Sequence, residues 1–103
     1  MIQYPIISIV TPSYNQGKFI EDTIQSVFKQ NYPNFEHIII DNCSTDGTVE
    51  ILKKYSHLKW ISEPDRGQTD AMNKALEMSD GDLIVYLNAD DEFYPNIFKK
   101  VRI

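Results

Sequence analysis

Five apolar residues, Leu83-Ile84-Val85-Tyr86-Leu87, run without interruption and stop at Asn88-Ala89-Asp90-Asp91. A short continuous apolar run is the pattern of a strand buried on both faces, as in parallel sheets covered by helices on each side. That requirement constrains the whole chain, because parallel strands need crossover connections and a crossover usually carries a helix. Two adjacent carboxylates at the end of the run repel each other unless something positive sits near. A hard divalent cation, which takes carboxylate oxygens, is one way to supply that charge. The other reading is a loop pair capping a helix that begins near Tyr94-Pro95-Asn96-Ile97, and the run alone leaves both open.

The preceding residues supply the crossovers. Ile6 to Val10 is a β-branched run, expected as a strand that Pro12 ends. Phe19, Ile20, Thr23, Ile24, Val27 and Phe28 recur at helical spacing, with Glu21 and Asp22 early and Lys29 late, as the helix dipole prefers. Phe35 to Ile40 reads as a second strand closing at Asp41. Ser44 and Thr45 are candidate N-caps for a helix whose apolar face is Val49, Ile51, Leu52 and Tyr55. Leu58 to Ser62 is a short third strand. Thr69 to Met78 is a helix with Ala71, Met72, Ala75, Leu76 and Met78 inward. The order β-α-β-α-β-α-β predicts an α/β fold: a mostly parallel, Rossmann-like sheet with helices on both faces. Each strand exit carries polar residues (Thr11 to Asn15, Asp41, Glu63 to Arg66, Asn88 to Asp91), and ligands of open α/β sheets bind outside those ends.

Length and composition set the bounds. The chain has 103 residues, a formal net charge of −5 and 42% hydrophobic residues, enough for one domain with a modest core. The acidic balance and the lack of a basic stripe argue against nucleic acid. Cys43 is the only cysteine, so no intramolecular disulfide can form, which fits a reducing compartment. No apolar run approaches a membrane span, and the N-terminus lacks a signal-peptide pattern. The expected location is cytoplasmic, with any attachment to the inner face of the plasma membrane made by parts outside this chain. Pro95 to Ile103 begins a helix that ends with no cap and no closing strand, so the expectation is a domain truncated from a longer protein.

Four blocks carry a family resemblance. They are Val10-Thr11-Pro12-Ser13-Tyr14-Asn15, Ile40-Asp41-Asn42-Cys43-Ser44-Thr45-Asp46-Gly47-Thr48, Asp65-Arg66-Gly67-Gln68-Thr69-Asp70-Ala71-Met72-Asn73, and Leu87-Asn88-Ala89-Asp90-Asp91. In this order, each on a strand exit, they resemble the family 2 glycosyltransferases, which have the GT-A fold. Residues 1–103 look like the N-terminal, nucleotide-sugar-binding half of such an enzyme. The resemblance implies that Thr11, Pro12 and Tyr14 cradle the nucleoside and that Asp41 accepts the ring N–H of uracil or its equivalent. It places Arg66 and Asp70 along the donor site. It makes Asp91 the ligand of a Mn²⁺ or Mg²⁺ under the diphosphate, with Asp90 reaching the ribose or the metal shell. It implies transfer from a nucleotide-sugar donor, a UDP-sugar first, to a glycan or lipid-linked acceptor, as in cell-surface polysaccharide synthesis. Inversion at the anomeric carbon would use a carboxylate base, for which no position in these residues matches. Asn88 stands where many relatives have Asp, and Asn42 likewise.

Other readings compete. A receiver-type phosphoacceptor domain would need an acidic pair after the first strand, where this chain has Thr11-Pro12-Ser13. A nucleotidyltransferase would need a Gly-rich basic loop there. A nucleotide-binding module without transfer activity fits the length. Residue by residue, Asp46 is expected to serve the helix near Thr48, and Asp70 to favour the helix N-terminus. Arg66 is expected either to meet phosphate or to pair with Asp65 or Glu63. Cys43 reads as a small buried filler, His37 as facing solvent or a helix, His57 as a loop residue and Trp60 as core or edge packing.

Overall fold

The computed structural model describes residues 5–90 and Glu92. Seven elements follow in order: β1 (Ile7–Ser13), α1 (Ile20–Phe28), β2 (Phe35–Asp41), α2 (Thr48–Leu52), β3 (Leu58–Ser62), α3 (Gln68–Met78) and β4 (Leu83–Tyr86). The strands form one sheet in the order β3-β2-β1-β4, and every pairing is parallel. The expected α/β alternation is therefore present in full. The helix expected at Pro95 to Ile103 lies outside the described residues, as does Asp91.

Strand alternation divides the core between the two faces. Val10, Ile38 and Ile40 pack against Ala71 and Ala75 of α3. Residues of the opposite parity face the other helices: Ile7 and Ile9 meet Val27 of α1, and Ile39 meets Ile20 and Ile24 of α1 with Leu52 of α2. Burial of such side chains contributes about 1.5–3 kcal/mol each and fixes the register, since a one-residue slip would turn each strand inside out. Trp60 packs partly buried against the second of these clusters, as expected.

Several expectations need correction. The chain does not leave the sheet at Pro12: β1 runs on to Ser13, and Pro12 pairs with Ile40. The ladder geometry explains this. Ser13 C=O accepts from Asn42 on the β2 side, while Val10 C=O accepts from Leu87 on the β4 side. By alternation the Pro12 nitrogen also faces the β4 side, and there β4 pairing has already ended at Val10. Proline thus terminates one ladder and leaves the other intact.

β4 is not buried on both faces. Leu83 and Ile84 are each 42% exposed and Tyr86 is 39% exposed. Among the described residues β4 is the last strand in the order, and α3 lies over β2 and β1. Leu76, expected inward, is exposed, and so are Phe19 and Phe28 of the helical-spacing set. Cys43 is exposed too, because a left-handed backbone at φ 52° turns it outward from the exit of β2. His37, expected to face solvent or a helix, is fully buried, which excludes the first. Its Nε2 lies 2.8 Å from Thr11 Oγ1, and burial pushes its pKa down to about 3, so the imidazole is neutral.

Candidate functional site

The exits of β1, β2 and β3 are tied into one rim by side-chain carboxylates and amides. Asp41 is fully buried. Its Oδ1 accepts from Ser44 Oγ at 2.5 Å, and its Oδ2 accepts from Ser44 N at 2.9 Å and Ser62 Oγ at 2.8 Å. Ser44 Oγ in turn accepts from Asn15 N, and Asn15 Oδ1 accepts from Thr45 N. One carboxylate therefore couples the loops after β1 and β2 to the end of β3. Asn42 extends the rim: its Oδ1 accepts from Asp65 N at 3.0 Å, which holds the loop that leads into α3.

The acids around these loops act on helix starts. Asp46 accepts from Thr48 N and Thr48 Oγ1 and from Gly17 N. Those bonds lower its pKa, Thr48 first and Gly17 next. The N-cap position of α2 is Gly47, in a left-handed conformation at φ 95°, so Ser44 and Thr45 are not the caps; they hold Asn15 and Asp41 instead. Asp70 Oδ2 accepts from Arg66 N at 2.9 Å, which favours the start of α3, as expected. Asp65 Oδ1 accepts from Gly67 N, and Gly67 has φ 111°, a conformation that favours glycine. The Arg66 guanidinium forms no ion pair among the described residues, so the expected pairing with Asp65 or Glu63 does not form; Glu63 pairs with Lys74 instead.

Above this rim lies a cavity of about 420 Å³. Pro12, Ser13, Tyr14 and Gln16 form one wall, Asn42, Asp65, Gly67 and Ala71 a second, and Asn88, Ala89 and Asp90 a third. It is open, and Tyr14 stands at its edge, 58% exposed. Its volume falls within the range of small-molecule sites, about 300–1,000 Å³. It also lies outside the carboxyl ends of the strands, where α/β sheets bind ligands.

Of the residues singled out from the sequence, Pro12, Tyr14 and Asp90 line this cavity. Thr11 is buried beneath it with its hydroxyl turned to His37. Asp41 lies in the rim, and Arg66 and Asp70 flank the start of α3. Sequence reasoning passed over Ser13, Gln16, Asp65 and Gly67 as lining residues. Ser13, Asp65 and Gly67 lie inside the quoted blocks and Gln16 just beyond the first, but only the folded arrangement brings them to the cavity wall. Ser13 is 5% exposed, and its hydroxyl has no hydrogen-bond partner among the described residues.

Metal binding can be judged from the donors present. No three His, Cys, Asp or Glu residues converge among the described residues, which do not include Asp91. Asp90 and Asn88, both on the cavity wall, carry oxygen atoms of the hard-donor type. That set fits a cation of the Mg²⁺ type, which is commonly held by one or two carboxylates plus the phosphates of its substrate. No helix among the described residues is long and apolar enough to cross a membrane.

Comparisons with known proteins agree with this architecture. The model of the family "Glycosyl transferase family 2" matches residues 8–101. The chain is 41% identical over 102 residues to the Bacillus subtilis protein named "Putative teichuronic acid biosynthesis glycosyltransferase TuaG", covering 93% of this chain and 40% of that protein. It is 31% identical over 91 residues to the poly(ribitol-phosphate) beta-N-acetylglucosaminyltransferase TarS of Staphylococcus aureus, covering 82% of this chain and 16% of that protein. The mannosyltransferase PcManGT of Pyrobaculum calidifontis, solved with GDP-Man and Mn²⁺, superposes with a TM-score of 0.85 at 27% identity, over 91% of this chain and 30% of that one. TarS residues 1–349, solved with UDP-GlcNAc, gives a TM-score of 0.81 at 30% identity, over 91% of this chain and 29% of that one. The sheet with its helices is the Rossmann-like part of the GT-A fold, and the chain belongs to glycosyl transferase family 2.

Proposed function

We propose that this chain is the donor-binding part of a glycosyltransferase. The enzyme would transfer a sugar from a nucleoside-diphosphate sugar, a UDP-sugar first, to a glycan or lipid-linked acceptor. The observation that carries the reading is the cavity at the strand exits, with an exposed aromatic ring at one edge and an acid–amide pair at the other. Tyr14 offers a face on which a base can stack, and such stacking contributes about 1–3 kcal/mol. Pro12 and Ser13 form the wall beside it.

Charge supports a metal. The cavity wall carries Asp65 and Asp90 and, among the described residues, no lysine or arginine. A bare diphosphate would be repelled there. Mn²⁺ or Mg²⁺ held by Asp90 and Asp91, with Asn88 beside them, would neutralise the diphosphate and stabilise the charge that grows on the leaving group. The chain's own residues orient the donor: Tyr14 and Pro12 at the nucleoside, Arg66 toward the phosphates. Transfer with inversion needs a carboxylate that removes the acceptor hydroxyl proton, and that base is expected outside these residues. The names of two relatives, a teichuronic acid biosynthesis glycosyltransferase and a poly(ribitol-phosphate) beta-N-acetylglucosaminyltransferase, support a polymeric acceptor.

The test is calorimetric titration of the chain with UDP, GDP and dTDP, each with Mn²⁺ and again with EDTA. Manganese-dependent binding of one nucleotide is expected, and Asp91→Ala should abolish it. A folded chain that binds none of the three under either condition would overturn the donor-site reading. Wild-type affinity in Asp91→Ala would overturn the metal assignment alone.

A further inference from the structure

A second cavity, of about 410 Å³, lies at the opposite end of the fold. Ile24, Gln25, Phe28 and Lys29 of α1 and its C-cap form one side, and Lys54 to His57, between α2 and β3, form the other. α1 returns antiparallel to the strands, so its C-terminal end sits at the edge where strands begin. The His57 ring confirms this placement. Its centroid is 6.2 Å from that of Phe35, the first residue of β2.

The chemistry of this cavity differs from that of the first. Its floor is aromatic: the His57 ring lies 5.1 Å from Phe28 and 5.9 Å from Tyr55. Burial lowers the His57 pKa, so the imidazole is neutral near pH 7 and the floor carries no charge. Phe28 is 58% exposed, an apolar ring left open beside a concave surface. The Tyr55 hydroxyl is held by Glu21 and Gln25, which fixes its ring as a wall. At the rim stand Lys29 and Lys54, both exposed. Neither ammonium forms an ion pair with a described residue, whereas Lys59 and Lys74 are each paired with acids. Two unpaired cations flank an aromatic concavity on a chain of net charge −5.

We propose that the cavity between the C-terminal end of α1 and the α2–β3 turn binds a small planar apolar anion, an aromatic ring system bearing a carboxylate or a similar acid. The volume selects a small molecule, since sites for such ligands span about 300–1,000 Å³. The Phe28, Tyr55 and His57 rings take the apolar body, and Lys29 and Lys54 take the charge. The site is separate from the strand-exit cavity and does not depend on how that cavity is read.

The probe is 2-naphthoate, titrated into the ¹⁵N-labelled chain and followed by amide chemical shifts, with the neutral 2-naphthylmethanol alongside. Saturable shifts are expected at residues 24–29 and 54–57, with naphthoate binding tighter. The Lys29→Gln/Lys54→Gln double variant should lose about fivefold in naphthoate affinity, the effect of two exposed charge contacts, with little change for the alcohol. Both lysines are exposed, so this variant should fold as the wild type does. Absence of shifts at these amides, shifts spread over the whole chain, or equal naphthoate affinity in the double variant would each overturn the proposal.

Discussion

Replacing Asp41 by alanine should unfasten the rim of the strand-exit cavity. The carboxylate is fully buried and accepts three hydrogen bonds, from Ser44 N, Ser44 Oγ and Ser62 Oγ. A hydrogen bond to a charged group contributes about 1.5–3 kcal/mol. The three do not sum, because the serine hydroxyls can rotate to other acceptors while the Ser44 N–H is fixed by the backbone. A net loss of about 3 kcal/mol is therefore expected. For a domain of roughly 100 residues, each kcal/mol shifts Tm by about 4–8 °C, so Tm should fall by about 12–24 °C. Asp41→Asn keeps one acceptor oxygen but turns a donor toward existing donors, and should lose about half as much.

The same substitution separates a structural role from recognition. Asp41 is fully buried and does not line the cavity, so a direct contact with a ligand N–H has to be measured apart from the clamp. Thermal melts of Asp41→Ala without nucleotide measure the clamp. Calorimetry with UDP, well below the variant's Tm, measures recognition with and without Mn²⁺. Binding should weaken under both conditions. A Tm within about 3 °C of wild type would refute the clamp argument, since it would put the three bonds together below 1 kcal/mol. A lower Tm with unchanged UDP affinity would leave the clamp standing and remove Asp41 from nucleotide recognition.

Three further outcomes are expected. A Cβ at Gly81 would lie 2.8 Å from Ser8 N and 2.2 Å from Ser8 Oγ, so Gly81→Ala should force β4 away from β1 and destabilise by about 1–3 kcal/mol; an unchanged urea midpoint would contradict that approach. Tyr14→Ala should weaken nucleotide binding about tenfold with Tm within 2–3 °C of wild type, because the ring is exposed and stacking contributes about 1–3 kcal/mol; wild-type affinity would remove Tyr14 from the base site. Burial holds His37 neutral, with its pKa pushed down to about 3, against about 6.5 when unfolded. The unfolded chain therefore takes up the proton first, and stability present above pH 6.5 is lost as pH falls from there toward 3, by about 1.4 kcal/mol per unit. From pH 7 to pH 5 the wild type should lose about 2 kcal/mol more than His37→Gln, and equal losses in urea denaturation would refute the assignment.

The strands and helices were legible because apolar period and turn residues agree along the chain. Every strand start was readable to within a residue. What the sequence could not show was which side of an element remains open. The run Leu83 to Leu87 reads as doubly buried, yet among the described residues β4 is the last strand in the order, and strand order is not a local property. Phe28 and Leu76 follow helical spacing, but the buried stripes of α1 and α3 are narrower than the apolar residues available to them. Cys43 was misread because its exposure comes from a left-handed φ, which favours Gly and Asn and gives no signal at a cysteine.

The candidate site was legible as a set of strand exits but not as a division of labour among them. Thr11, Asp41 and Asp70 carry polar atoms at the right depth in sequence, and all three hold other parts of the protein: Thr11 bonds His37, Asp41 clamps the Ser44 loop, and Asp70 starts α3. The residues on the cavity wall stand beside them in the same segments. Pro12, Ser13 and Tyr14 follow Thr11, and Asn42 follows Asp41. At each exit some residues turn inward and keep the exit rigid, and their neighbours line the cavity. A motif that spans such an exit therefore contains two kinds of residue, and loss of binding after mutation does not tell them apart. Thermal stability does, because the inward set should lower Tm and the outward set should not. Asp41 is the informative position, since the family resemblance gives it the second role while its burial and its three hydrogen bonds give it the first.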